Sequence, residues 1–137
     1  VITFDFDKAT ALDGDSGPYI LYTVARINSI LRKTKIAISY KKVNYTVFGE
    51  DSERELFLHL SKFNEFVSRA ADEYLPAKLC SYLVELAQLF NNFYHKCPVL
   101  QSEDMDLQYA RLALISKVKE TLEKGLDLLN IKAVDEM

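Results

Sequence analysis

Two histidines, two cysteines and four glycines in 137 residues leave little from which to build a reaction centre. No Gly-rich phosphate loop, HExxH pair, nucleophile elbow or Cys/His dyad occurs. Carboxylate pairs such as Asp104 and Asp106 stand where a helix begins, and capping accounts for them. No catalytic residue, metal site or cofactor is therefore expected within this stretch. Cys80 and Cys97 lie too far apart along one predicted helix to bridge, and they read as two thiols in a reducing compartment. No apolar run approaches the ~18 residues that cross a bilayer, and no charged, apolar and small-residue leader opens the chain. A cytoplasmic protein without membrane contact is the expectation. The chain opens on an apolar and acidic phrase, Val-Ile-Thr-Phe-Asp-Phe-Asp, which reads as the continuation of something longer.

Helical periodicity is plentiful. In the stretch Leu79 to Leu100, the residues Leu79, Leu83, Leu86, Phe90, Phe93 and Cys97 recur at steps of four and three, which predicts a buried stripe on a long helix. Gln88, Asn91 and His95 step the same way beside it, with Tyr94 adjacent, so a polar and stacking face borders the core face. Ahead of it, Ile20, Val24, Ile27 and Leu31 form the inward stripe of a helix over Tyr19 to Lys33, started by Asp15 or Ser16 and by Pro18. Tyr22, Arg26, Ser29 and Lys33 share another of its faces. Ser52 and Glu55 have capping-box spacing, and Leu56, Leu60, Phe63, Val67 and Ala70 predict one helix after them, with His59 off the stripe as a surface imidazole. Pro76 starts the long helix and Pro98 stops it. Asp104 or Asp106 caps a last helix to Leu129, with Leu107, Ala110, Leu114, Val118 and Leu122 inward, Gly125 at a close helix contact and Asn130 as a left-handed cap. Residues 34–51 alternate at period two, so a short hairpin competes with an irregular connector, and loop is the reading kept. The fold class is all-α: one bundle of four to five main helices over residues 16–137, preceded by a connector over residues 1–15.

Charge is unevenly spread. The net charge of −3 divides into −3 over residues 1–16, +6 over residues 17–49, where no acid occurs, and −6 over the remainder. A basic segment that also holds Tyr19, Tyr22, Tyr40, Tyr45 and Phe48 has the composition of a phosphate-facing surface with stacking groups, or of a solvated helix face followed by a charged loop. Asn91, Tyr94, His95 and Tyr22 have the chemistry that stacks on unpaired bases and bonds their edges in single-stranded RNA loops. The alternative is that both tyrosines are core aromatics with a wet hydroxyl.

Longer phrases carry a resemblance. Phe4-Asp5-Phe6-Asp7, then Gly14-Asp15-Ser16-Gly17-Pro18-Tyr19-Ile20-Leu21-Tyr22 and Ala25-Arg26-Ile27, resemble the passage in arginyl-tRNA synthetases that leaves the catalytic half and enters the anticodon-binding bundle. Glu85-Leu86-Ala87, Phe90-Asn91, Phe93-Tyr94-His95 and Cys97-Pro98-Val99-Leu100 are similar to that bundle's central helix, and Ala110-Arg111-Leu112, Gly125-Leu126 and Met137 to its last helix and chain end. Leu21 stands where Gln is usual, and Thr23-Val24 where Ala-His is common. The resemblance implies the C-terminal helical domain of a class I arginyl-tRNA synthetase, the DALR anticodon-binding type. It implies a tRNA(Arg) anticodon stem-loop and a catalytic domain of the same chain as partners, in a monomer. Tyr22 and Arg26 would face the anticodon stem or loop, Asn91, Tyr94 and His95 would contact loop bases, and Met137 would pack on a base. ATP and Mg2+ would be used by the full-length enzyme. The signatures HIGH and KMSKS are missing here, so this stretch alone would not attach arginine. A helical interaction or structural module without specific RNA recognition is the competing function.

Overall fold

A computed structural model describes residues 3–34 and 36–137. Val1, Ile2 and Lys35, the last counted above in the basic segment, lie outside the described residues. The chain forms α1 (Phe6–Thr10), α2 (Gly17–Thr34), α3 (Asp51–Ser61), α4 (Phe63–Asp72), α5 (Ala77–Lys96) and α6 (Met105–Leu128), and no strand occurs among the described residues. Five main helices follow the five-residue α1, which lies in the connector, as an all-α bundle requires. α5 is the axis of the bundle: α2, α3, α4 and α6 all pack against it. Its stripe Leu79, Leu83, Leu86, Phe90, Phe93 and Cys97 is buried throughout, as its spacing predicts.

The helix ends follow from local chemistry. Ser16 Oγ accepts from the Tyr19 amide (3.1 Å) and starts α2. Asp104 Oδ1 accepts from the amides of Asp106 and Leu107 (2.9 and 3.2 Å) and starts α6. Asn130 closes α6 with φ 59°, the left-handed geometry expected of it. Gly125 faces Leu83 of α5 so closely that a Cβ would collide with the Leu83 side chain, which explains a glycine inside a helix.

Three expectations are corrected. The single helix predicted over 52–70 breaks at Lys62 into α3 and α4, although no glycine or proline stands there. Tyr82 of α5 gathers rings from both sides of the break: His59 of α3 (ring centroids 4.3 Å apart, planes 11° apart) and Phe63 and Phe66 of α4 (5.7 and 5.0 Å). His59 is consequently a core residue, not a surface imidazole; Ser52, Leu56 and His59 form the inward line of α3. His59 Nε2 donates to the Tyr82 carbonyl oxygen (3.2 Å) and the Tyr82 hydroxyl donates to the His59 carbonyl oxygen (2.9 Å), so each satisfies the other. Burial drives the Tyr82 phenol well above its ordinary range, with the Glu85 carboxylate adding to the shift. The N-cap of α3 is Glu50 rather than Ser52, and Glu53 Oε2 accepts from the Glu50 and Gly49 amides (both 2.9 Å). Ser52 is turned inward against Cys97 Sγ (3.4 Å).

The segment left as loop between α2 and α3 contains two short 3-10 turns, Tyr40–Lys42 and Tyr45–Val47, and no hairpin among its described residues. It is tied to α6: the Ser39 amide donates to the Tyr109 hydroxyl (2.7 Å), and the Tyr40 hydroxyl donates to Glu120 (2.5 Å). Both cysteines are free thiols, Cys80 exposed and Cys97 buried. No described helix is long and apolar enough to cross a membrane.

Candidate functional site

The line Tyr22, Arg26, Ser29 on α2 faces away from the bundle axis, and all three residues are half-buried. Beside it the chain returns after α6: Asn130 reverses direction, Ala133 packs against the core, and Arg32 pairs with Glu136 through Nη1 and Oε1 at 2.7 Å. Both partners are largely solvated, 53% and 76% exposed, so the pair contributes at most about 1 kcal/mol; it orients the tail more than it holds the fold. Between α2 and the tail lies an open groove of about 330 Å3 lined by Tyr22, Ala25, Arg26, Ser29, Arg32, Glu136 and Met137. Met137 is 62% exposed there, an apolar side chain presented to solvent next to an aromatic ring and two guanidinium groups.

α5 closes the back of this groove. The Arg26 guanidinium carbon lies over the Tyr94 ring, 4.6 Å from its centroid, and Arg26 Nη1 donates to Asn91 Oδ1 (3.2 Å). Asn91 Nδ2 in turn donates to the Tyr19 hydroxyl (2.6 Å). Phe90, inside the core, holds the Tyr94 ring from its own helix (5.9 Å between centroids). Arg26 is thus positioned by a π face and an amide oxygen, both neutral, and among the described residues no carboxylate pairs with it. Tyr94 is neither a plain core aromatic nor a free surface ring; it is half-buried, with one face given to Arg26.

Of the six positions expected from the resemblance, Tyr22, Arg26 and Met137 line the groove, and Asn91 and Tyr94 touch Arg26 from behind. His95 is apart from that lining, exposed on the last turn of α5 with Lys96 next to it. Gln88, placed on the same polar face by its spacing, does other work: its amide donates to Asp15 (2.9 Å) and ties the connector to α5. The basic segment divides, because Arg26 and Arg32 belong to the groove whereas Lys41 and Lys42 sit on the 3-10 turn next to α6. Periodicity did not reach Tyr19, Arg32 and Glu136. Their partners lie 72 and 104 residues away in sequence, and nothing local to either end marks such a pairing.

The chain has close relatives among known proteins. The family described as DALR anticodon binding domain matches residues 20–137. Arginine–tRNA ligase of Thermobifida fusca is 44% identical over 134 residues, which cover 98% of this chain and 23% of the relative. Arginine–tRNA ligase of Bdellovibrio bacteriovorus is 40% identical over 136 residues, covering 99% of this chain and 23% of its own length. Among solved structures, Thermus thermophilus arginyl-tRNA synthetase superposes with a TM-score of 0.84 at 36% identity, over 98% of this chain and 23% of that one. The arginyl-tRNA synthetase of Plasmodium falciparum gives 0.83 at 31% identity, with the same coverage. The chain therefore spans less than a quarter of the length of these relatives.

Proposed function

The chain belongs to the DALR anticodon binding domain family, and on that premise we propose that it holds the anticodon loop of an arginine tRNA in the groove of Tyr22, Arg26 and Met137. One observation carries this reading: three stretches far apart in sequence meet at one open groove, Tyr22, Arg26 and Met137 lining it with aromatic, cationic and thioether groups while Asn91 and Tyr94 hold Arg26 from behind. That combination suits unstacked bases on a charged backbone. Tyr22 and Met137 offer apolar contact to a base, Arg26 and Arg32 offer positive charge to the loop, and the exposed His95, apart from the groove lining, would contact a further loop base.

In the whole protein this domain would deliver tRNA(Arg) to a catalytic domain of the same chain, which joins arginine to the tRNA with ATP and Mg2+, in the cytoplasm and as a monomer. The exposed Phe4, Phe6 and Leu12 of the connector, 77%, 68% and 53% accessible, support docking of that segment on the catalytic domain.

The test is a titration of the 137-residue chain with tRNA(Arg) and with the same tRNA carrying a substituted anticodon. The substituted tRNA binds more weakly, and Met137→Ala weakens binding of the native tRNA. Equal affinity for both tRNAs would leave the chain a helical interaction module and remove its role in reading the anticodon.

A further inference from the structure

The stacking chemistry of the groove has an order that the residue list alone does not give. Tyr94 is the ring that a base-binding site would be expected to use, yet its face toward α2 is covered by Arg26 at 4.6 Å from the centroid, and Phe90 packs on it at 5.9 Å. The groove is lined by Arg26, and Tyr94 is not part of that lining. The guanidinium is also held against rotation, since Nη1 donates to Asn91 and Asn91 is itself fixed by the Tyr19 hydroxyl. A planar cation, backed by a π face and tethered through Nη1, thus also lines the groove that Tyr22 and Met137 share.

We propose that the base-stacking surface of this groove is the Arg26 guanidinium plane, with Tyr94 a positioning residue that backs it, so that an unpaired base lies on Arg26 and not on Tyr94. The proposal rests on the anticodon-loop reading above and specifies its contact. Guanidinium planes stack on bases as aromatic rings do. A sandwich of base, guanidinium and phenol ring places the cation between two π faces, an arrangement that a point charge on a flexible stem does not reproduce.

Lysine in place of Arg26 separates the two ways this residue can act, because it keeps the charge and loses the plane. The probes are an anticodon stem-loop of an arginine tRNA and a series in which one loop nucleotide at a time is abasic. Arg26→Lys weakens binding of the intact stem-loop roughly 5- to 150-fold, the range for loss of one base stack, while the salt dependence of binding is unchanged because the charge remains. On the stem-loop abasic at the stacked position, Arg26→Lys costs nothing further. Tyr94→Phe, which keeps the ring face, binds like the native domain; Tyr94→Leu loses affinity as Arg26→Lys does, and the double variant is no weaker than Arg26→Lys alone. Far-UV circular dichroism and melting curves establish that each variant is folded, and the two conservative variants decide the matter should Tyr94→Leu be unstable. Native-like binding by Arg26→Lys would overturn the proposal, leaving Arg26 a charge alone. Full additivity of the two losses would also overturn it, because Tyr94 would then meet a base directly. No binding by the native domain to any stem-loop would overturn the anticodon-loop reading, and this proposal with it.

Discussion

Glu53 has no solvent exposure and Arg111 is 6% exposed, so two full charges are buried at one point of the interior. Glu53 Oε1 takes Arg111 Nε at 2.7 Å, Oε2 takes the Gly49 and Glu50 amides, and Arg111 Nη1 donates to the Pro98 carbonyl oxygen at 2.8 Å. One pair thus joins the start of α3, the inner face of α6 and the turn after α5. Removing one partner strands the other without solvent. Arg111→Leu is expected to cost about 3 to 5 kcal/mol, measured by urea denaturation, and Arg111→Lys to recover only part because it lacks the fork that reaches both acceptors. A loss near zero for Arg111→Leu would mean that Glu53 finds water. Arg111 lay within a phrase similar to the last helix of the arginyl-tRNA synthetase bundle, but its burial was not legible. A single charged residue beside an apolar stripe looks the same in sequence whether it faces solvent or a buried carboxylate.

At the scale of elements, the segment between α2 and α3 is held by its tyrosines. The Tyr40 hydroxyl sits 2.5 Å from Glu120 and 3.2 Å from Ser116 Oγ, with Lys117 Nζ 5.6 Å from the ring centroid. Burial and the Glu120 carboxylate push the Tyr40 phenol from its ordinary 10.0 up to about 12. Burial raises the Glu120 carboxyl, but the Tyr40 hydroxyl and the Lys117 ammonium outweigh it and hold Glu120 below its usual range. The native state keeps the Tyr40 proton more tightly than the unfolded chain does. Its contribution to stability is therefore complete below pH 10 and lost as the pH climbs from 10 to about 12. Tyr40→Phe removes that contribution, so the variant's urea midpoint should fall less steeply than the native one across that window; parallel curves would show that the hydroxyl does not couple to folding.

The longer helices were legible because their apolar residues repeat at helical steps against a core on one side: the inward lines of α2, α5 and α6 are buried or half-buried as spaced. The burial of His59 was not, since it answers to Tyr82, a residue on another helix, and the break at Lys62 is marked by no glycine or proline. The 3-10 turns escaped period counting because tyrosine hydroxyls bonded to or from α6 shape that segment, not a repeating pattern.

For the molecule as a whole, two surfaces compete for a partner. One is the groove of Tyr22, Arg26 and Met137; the other is an apolar hollow of about 430 Å3 between α3, α6 and the segment that joins α2 to α3, lined by Tyr40, Tyr45, Phe57, Leu60 and Leu114 among others. The composition of residues 17–49 placed aromatics and cations near both, and spacing alone had no means of separating them. The resemblance in sequence supplied the residues of the first surface, while the order of its layers, with Arg26 in front of Tyr94, follows only from the packing of α2 on α5. Backbone amide shifts recorded by nuclear magnetic resonance, as an anticodon stem-loop of an arginine tRNA is added, decide between the two. Shifts concentrated at Tyr22, Ala25, Arg26, Ser29 and Met137, and extending to Asn91 and His95, are the predicted result. Shifts confined to Tyr45, Phe57 and Leu60, with the Arg26 groove silent, would contradict it.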